Sequence, residues 1–274
     1  MSKAVPWFVW NAFLAVLLFV PTAASLESAA NHRGTCNMHY PSDATVRWEC
    51  QTLRMGESLE TLFGDRWISV ARFNRIDRRH VHSGVSIKVP KQLEGLEALI
   101  PLPLLYLAAE QERQLILVDL SEQFLGAYEY GILRFAAPIA SGNGHNETPT
   151  GEFRLSAAHR AHQSCLYMVE GTDRPYPMNY ALRFHVNCDG VSYWIHGRDM
   201  PGDPASHGCI GLYDEPMQQE QYGFPKAPEL NDAKRLFEWV LGGAVEDDRL
   251  IPLPHGPTVQ IIGRAPKHEQ SSIK

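Results

Sequence analysis

The chain has 274 residues, 44% of them apolar and 20% charged, with 31 Asp and Glu against 25 Lys and Arg and a formal charge of −6. That apolar content suffices for one medium domain with something smaller beside it, and excludes a chain too polar to fold. The acidic balance, with no basic cluster larger than Arg78-Arg79, excludes a nucleic-acid binder built on a basic face.

Residues 1–24 open with Lys3, continue through the uncharged run Pro6 to Val20 and end on small residues up to Ala24. This is the layout of a secretory signal peptide cleaved near Ala24, with an uncleaved anchor as the alternative. The mature protein is therefore expected in the periplasm or cell envelope. Residues 25–44 read as a loose polar linker. Residues 45–91 read as strand, helix, helix, strand: Leu59 and Leu62, then Val70 and Phe73, repeat at helical spacing, and Val85, Ile87 and Val89 alternate. Residues 92–112 form an apolar connector that Pro101 and Pro103 keep from being one helix.

From residue 113 to 264 strands dominate. QLILVDL, FLGAYEYG and ILRFAAPIAS are rich in β-branched and aromatic residues, with Gly131 as a turn between the second and third. The turn-dense loop SGNGHNETPTGEF follows, then strands at Tyr180 to Val186 and Ser192 to Ile195. Asn231 is placed to cap a helix DAKRLFEWVL that Gly242 and Gly243 end, and Thr258 to Ile262 make a last strand before a flexible tail at 265–274. The expected fold is mainly β, a sandwich with peripheral helices, preceded by a small βααβ domain.

Five cysteines in an exported chain leave one unpaired. The simplest arrangement joins Cys36 to Cys50 and Cys165 to Cys188, the second bridge restraining a lid with little secondary structure of its own. Cys209 is then the free thiol, to be weighed against an intermolecular bridge or a buried inert cysteine.

Cys209 lies in WIHGRDMPGDPASHGCIGL, residues 194–212. A cysteine attacks as thiolate, and an imidazole that takes its proton is expected to bring the thiol below its ordinary pKa of about 8.5. His196 ends a strand, and Pro201, Gly202 and Pro204 allow the chain to turn back toward it. In an extended segment His207 and Cys209 would face the same side. Gly208 and Cys209 offer two backbone N–H groups to an oxyanion, which makes acyl transfer through a thioester the expected chemistry. Zinc on the two histidines and the cysteine, with Asp199, Asp203 or Asp214, is the competing reading, and inert structure the third.

The segment from Gln114 to Arg264 resembles the catalytic domain of the YkuD-type L,D-transpeptidases. The resemblance rests on His196-Gly197 at a strand end and on Ser206-His207-Gly208-Cys209 followed by Ile210. Leu117 to Leu120, Thr148 to Phe153, Pro177-Met178 and Phe184 support it. It implies Cys209 as nucleophile, His196 as base oriented by the Gly197 carbonyl, His207 as a supporting imidazole and no cofactor or metal. The implied donor is a tetrapeptide stem of peptidoglycan, attacked at its third residue with release of the terminal D-alanine. The implied acceptor is an amine on another stem, a protein or a D-amino acid.

Ser206 is expected to fix the turn. Arg198, Tyr180 and His145 complete the candidate substrate wall, while His159, His162 and His185 read as surface or structural residues. The chain departs from the family at Gly211, where an Arg is usual; Arg198 or Arg183 would have to supply that cation. The spacer between Gly197 and Ser206 is also short. Residues 45–91 resemble a LysM module on Gly56 to Leu59, Ala71, Asn74 and Ile87 to Pro90, which implies glycan strands as a second partner. The same pocket using water would be a carboxypeptidase or amidase, and a chain working only through its LysM-like part would be a non-catalytic wall-binding protein.

Overall fold

The computed structural model describes residues 34–144 and 146–267. The expected signal at 1–24, the first part of the expected linker, His145 and the last seven residues lie outside them. Among the described residues no helix is long and apolar enough to cross a membrane.

In the N-terminal part, the alternating segments pair as antiparallel β1 (Trp48–Thr52) and β2 (Ser86–Pro90). Between them run α1 (Leu59–Phe63), capped by the Ser58 side chain accepting from the Thr61 N–H, and α2 (Trp67–Asn74). Leu59, Val70, Ala71, Phe73 and Ile87 are buried together. The same cluster takes in Ala140, Met200, Tyr213 and Leu230 from the C-terminal half, so this unit shares its core with the β domain. The Tyr213 hydroxyl donates across the junction to the carbonyls of Ala71 and Ile76.

Residues 34–44 differ from the loose linker expected. Met38 and Tyr40 are buried, Thr35 N–H donates to Ser86 O at 2.8 Å, and Lys88 Nζ reaches both Met38 O and the Asp43 carboxylate. The polar residues that suggested a solvated segment are here the partners of buried polar groups. A disulfide joins Cys36 to Cys50, as expected. Replacing both cysteines by Ser is expected to cost about 3 kcal/mol for a loop of this size. Thermal unfolding of the double variant checks this, and an unchanged Tm would show that the strap holds without its bridge.

The C-terminal half holds two five-stranded sheets. One has the order β5-β4-β3-β12-β6, from β3 (Leu115–Asp119), β4 (Phe124–Glu129), β5 (Ile132–Pro138), β6 (Gly151–Arg154) and β12 (Thr258–Ile262). The other has the order β10-β9-β8-β7-β11, from β7 (Ala157–Met168), β8 (Pro175–Val186), β9 (Ser192–Arg198), β10 (Ile210–Tyr213) and β11 (Ile251–Pro252). Ile116, Val118 and Leu125 of the first meet Leu182, Phe184, Ile195 and Leu212 of the second in one core. Two further helices flank the sheets, α3 (Glu215–Tyr222) and α4 (Asp232–Leu241). Asn231 caps α4, Gly242 ends it in the left-handed region, and Ala233, Leu236 and Phe237 enter the core.

The sequence reading missed α3 and the strands β6, β7, β10 and β11, of which β6 falls partly in the expected loop and β7 matters for the site. AAHRAHQSCLYM is polar, and its middle and outer residues lack a clean alternation of buried and exposed positions. The expected lid is instead a hairpin of two 12-residue strands. Cys165 and Cys188 are both exposed and free, so the bridge expected between them is absent from the structure. The backbone pairing of β7 with β8 supplies the order that the disulfide was expected to provide.

Candidate active site

Strand β9 lies between β10 and β8, inside its sheet, and buries Trp194, Ile195 and His196. The chain leaves at Asp199 and returns as β10, parallel to β9, with Ile210 opposite Ile195 and Gly211 opposite His196. That register brings Cys209, one residue before Ile210, alongside Trp194. The spacer is short, and it is anchored from both sides. Asp77 accepts from Met200 N–H at 2.6 Å and from Gln218 Nε2 at 2.5 Å. The Asp199 carboxylate accepts from Gln218 Nε2, Arg79 Nε and the hydroxyls of Tyr176 and Tyr222. At the far end, Ser206 N–H donates to Ser141 O, and Gly211 and Ala140 exchange backbone hydrogen bonds of 2.9 and 3.0 Å, tying β10 to the other sheet.

His196 and Cys209 share a cavity of about 600 Å³. His196 Nδ1 lies 2.8 Å from the Gly197 carbonyl oxygen. A carbonyl only accepts, so Nδ1 carries the proton and Nε2 keeps its lone pair. Burial, the largest influence, pushes the imidazole down to about 3, against the favourable Gly197 hydrogen bond; Arg198 and His162 push the same way as burial. Burial likewise pushes the Cys209 thiol up, with a backbone hydrogen bond from Trp194 and the charge of Arg198 opposing it. The resting pair is therefore neutral imidazole and neutral thiol. This differs from the depressed thiol pKa expected from the sequence, because burial, which penalises the charged form, is the largest influence on both groups.

Ser206, His207 and Arg198 line the same cavity. Ser206 is buried and holds the turn through its backbone N–H. His207 is exposed and stacks on Tyr167, with centroids 4.2 Å apart and rings 21° from parallel. The extended geometry expected to set His207 beside Cys209 is replaced by a bend, in which Gly208 has φ of 104°. That value is open to glycine and strained for other residues. Tyr180 is not in the cavity wall: it packs edge-on against Phe237 of α4, with its own backbone in the left-handed region at φ 56°. His145 lies outside the described residues.

Gly211, the departure from the family pattern, has a physical explanation. A Cβ there would overlap Cγ and Cδ of Arg198, whose side chain crosses the glycine and donates from Nε to Asp199 O at 3.0 Å and from Nη2 to Ala205 O at 3.3 Å. Arg198 thus occupies the space that a side chain at 211 would need. Gly211→Arg alone is expected to cost about 1–3 kcal/mol through overpacking. Combining it with Arg198→Gly is expected to recover most of that loss, a coupling that a thermal double-mutant cycle measures directly. Additive losses would show that the two positions are independent.

Of three further wall residues, Tyr176 is not singled out in the sequence, His162 reads as surface or structural, and Trp194 reads as core or cleft wall. Tyr176 binds Asp199 from β8, Trp194 stands beside Cys209, and His162 stacks on Trp194 at 4.3 Å between centroids. β7 pairs with β8 in one register from Ala157 to Gln163, and Tyr180 on the facing strand has a positive φ. On this strand His159 and His162, three apart and due on opposite faces of a regular strand, come within 3.0 Å. No periodicity argument would have joined them. Among the described residues, no three His, Cys, Asp or Glu side chains gather as a metal centre, so the zinc reading finds no ligand set there.

Residues 113–261, more than half of the chain, match the family described as YkuD, the L,D-transpeptidase catalytic domain. The chain belongs to this family. Solved structures to which the chain is similar include an L,D-transpeptidase from Stackebrandtia nassauensis, 22% identical, covering 57% of this chain and 58% of that one at a TM-score of 0.37. One from Xylanimonas cellulosilytica is 18% identical, covering 77% and 98% at 0.43. An Enterococcus faecium L,D-transpeptidase is 22% identical, covering 55% and 50% at 0.32. The match thus takes in under two thirds of the Stackebrandtia and Enterococcus chains. No curated protein sequence matches the chain. The matched family segment includes the whole His196 to Cys209 constellation and ends before the β-domain tail.

Proposed function

We propose that the protein is an exported, cysteine-dependent L,D-transpeptidase that remodels peptidoglycan in the periplasm or cell envelope. The observation that carries this reading is His196: its Nδ1–H is held by the Gly197 carbonyl, which leaves Nε2 as a base in the same cavity as the free Cys209 thiol. In the first half-reaction Nε2 takes the Sγ proton as sulfur attacks the carbonyl of the third stem residue. The oxyanion that forms faces the N–H groups of Gly208 and Cys209. When the tetrahedral species collapses, the C–N bond to the terminal D-alanine breaks and its nitrogen takes the proton from Nε2. The stem remains as a thioester on Cys209, ready for an amine. Arg198, lying over Gly211, supplies the cation for a donor carboxylate.

A neutral resting pair suits this sequence of steps. The charges appear only when the substrate has displaced water, where they are worth most to each other. Residues 45–91 are proposed to hold glycan strands as a LysM-like module, keeping the active site on the wall.

Mass spectrometry of muropeptides incubated with the purified protein tests the reading. New cross-links or exchanged terminal residues support transpeptidation. Stems shortened without any new amide would make it a carboxypeptidase, and unchanged stems with retained binding would leave only wall attachment.

A further inference from the structure

The cavity has a cationic flank at Arg198 and a second flank, on β7, that carries lone pairs instead. His159 Nε2 lies 2.7 Å from the Asp248 carbonyl oxygen, which can only accept, so this nitrogen bears a proton. In the neutral ring, His159 Nδ1 is then an acceptor, and its 3.0 Å partner, His162 Nδ1, must donate to it. The chain of bonds leaves His162 with one unprotonated nitrogen, Nε2. The ring itself lines the cavity and lies against Trp194, beside which Cys209 sits. Burial, the largest influence, holds His162 down to about 4, with the charge of Arg183 pushing the same way, so the ring stays neutral at ordinary pH.

A group with a fixed lone pair beside a thioester has one natural use. An acceptor amine must approach the carbonyl with its own lone pair forward and an N–H turned elsewhere, and a cation on the wall cannot receive that N–H. We infer that His162 Nε2 receives an N–H of the incoming acceptor amine and aims its nitrogen at the Cys209 thioester, with His159 and the Asp248 carbonyl fixing the tautomer.

This rests on the transpeptidase reading and extends it to the second substrate. The amine nitrogen attacks the thioester carbonyl, the C–N bond forms and the C–S bond breaks. The proton that nitrogen sheds passes through His196 Nε2 to the departing sulfur, so His196 serves both halves and His162 only the second.

The test separates the two half-reactions. Full-length protein and its His162→Ala and His162→Gln variants are mixed with a tetrapeptide stem, and the cysteinyl adduct is followed by intact mass. A free D-amino acid is then added over a range of concentrations. His162→Ala is expected to slow transfer to the amine by up to about tenfold more than it slows adduct formation, for loss of one oriented hydrogen bond. The ratio of amine transfer to release to water is expected to fall by the same factor. His162→Gln, whose amide oxygen accepts, is expected to recover part of the loss. Amine transfer in His162→Ala equal to the parent's would overturn the inference and leave Asp189, the carboxylate in the cavity wall, to draw in the amine. Equal slowing of both halves would also overturn it, marking His162 as a support for Trp194. Absence of any adduct on the parent protein would instead sink the transpeptidase reading itself.

Discussion

Cys209→Ala is expected to abolish acyl transfer from a tetrapeptide stem, by at least about 10⁴-fold, while the fold survives. The thiol packs against the Met178, Ala181 and Trp194 cluster in the cavity that holds His196, and the other free cysteine lining that cavity, Cys165, is exposed. Alanine removes one sulfur from a half-buried position at the edge of the Met178, Ala181 and Trp194 cluster, so the packing loss is small. Circular dichroism and thermal unfolding of the variant check the fold, and adduct formation checks the chemistry. Retained turnover would mean that another group performs the attack.

The second large effect belongs to His196. Removing the base as His196→Ala is expected to slow acylation by about 10²–10⁴-fold. The pH profile carries further information. Because burial holds His196 down to about 3, the base form persists through the acid range, and kcat/KM for acylation is expected to show no limb near 6.5. The thiol is pushed the other way, so alkylation by iodoacetamide is expected to rise with an apparent pKa above the ordinary value of about 8.5. An acid limb near 6.5 together with an alkylation pKa well below 8.5 would indicate a resting thiolate and imidazolium. The sign of the stability effect follows from the same burial. His196 has a folded pKa below its unfolded one, so its neutral form is compatible with the fold above about 6.5, and stability is lost as pH falls from there toward 3.

Much of the site was legible because it is local. His196-Gly197 and Ser206 to Cys209 are contiguous pieces, and a parallel strand pair is enough to bring them together. The strands β3 to β5, the capped helix α4 and the closing β12 were legible for the same reason, since each follows from a pattern within ten residues. What escaped depends on distant parts. Arg198 filling the space above Gly211 is a tertiary replacement of one side chain by another from a neighbouring strand. His162 lines the cavity from β7 with its ring on Trp194 and 3.0 Å from His159, a meeting that no propensity suggests. The protonation states of His196 and Cys209 are set by desolvation, and burial is a property of the folded chain. Residues 34–44 show the same limit: polar composition spoke for a linker, whereas their polar groups pair with buried Lys88 and Ser86.

The central claim is a covalent bond between Cys209 and a stem peptide, activated by His196. Incubating the protein with a purified tetrapeptide stem, quenching with acid and digesting for peptide mass mapping tests it most directly. The account predicts a mass increase equal to the stem less its terminal D-alanine, on the peptide containing Cys209 and lost in Cys209→Ala. An unmodified Cys209 alongside released D-alanine in the same sample, with that release persisting in Cys209→Ala, would contradict it.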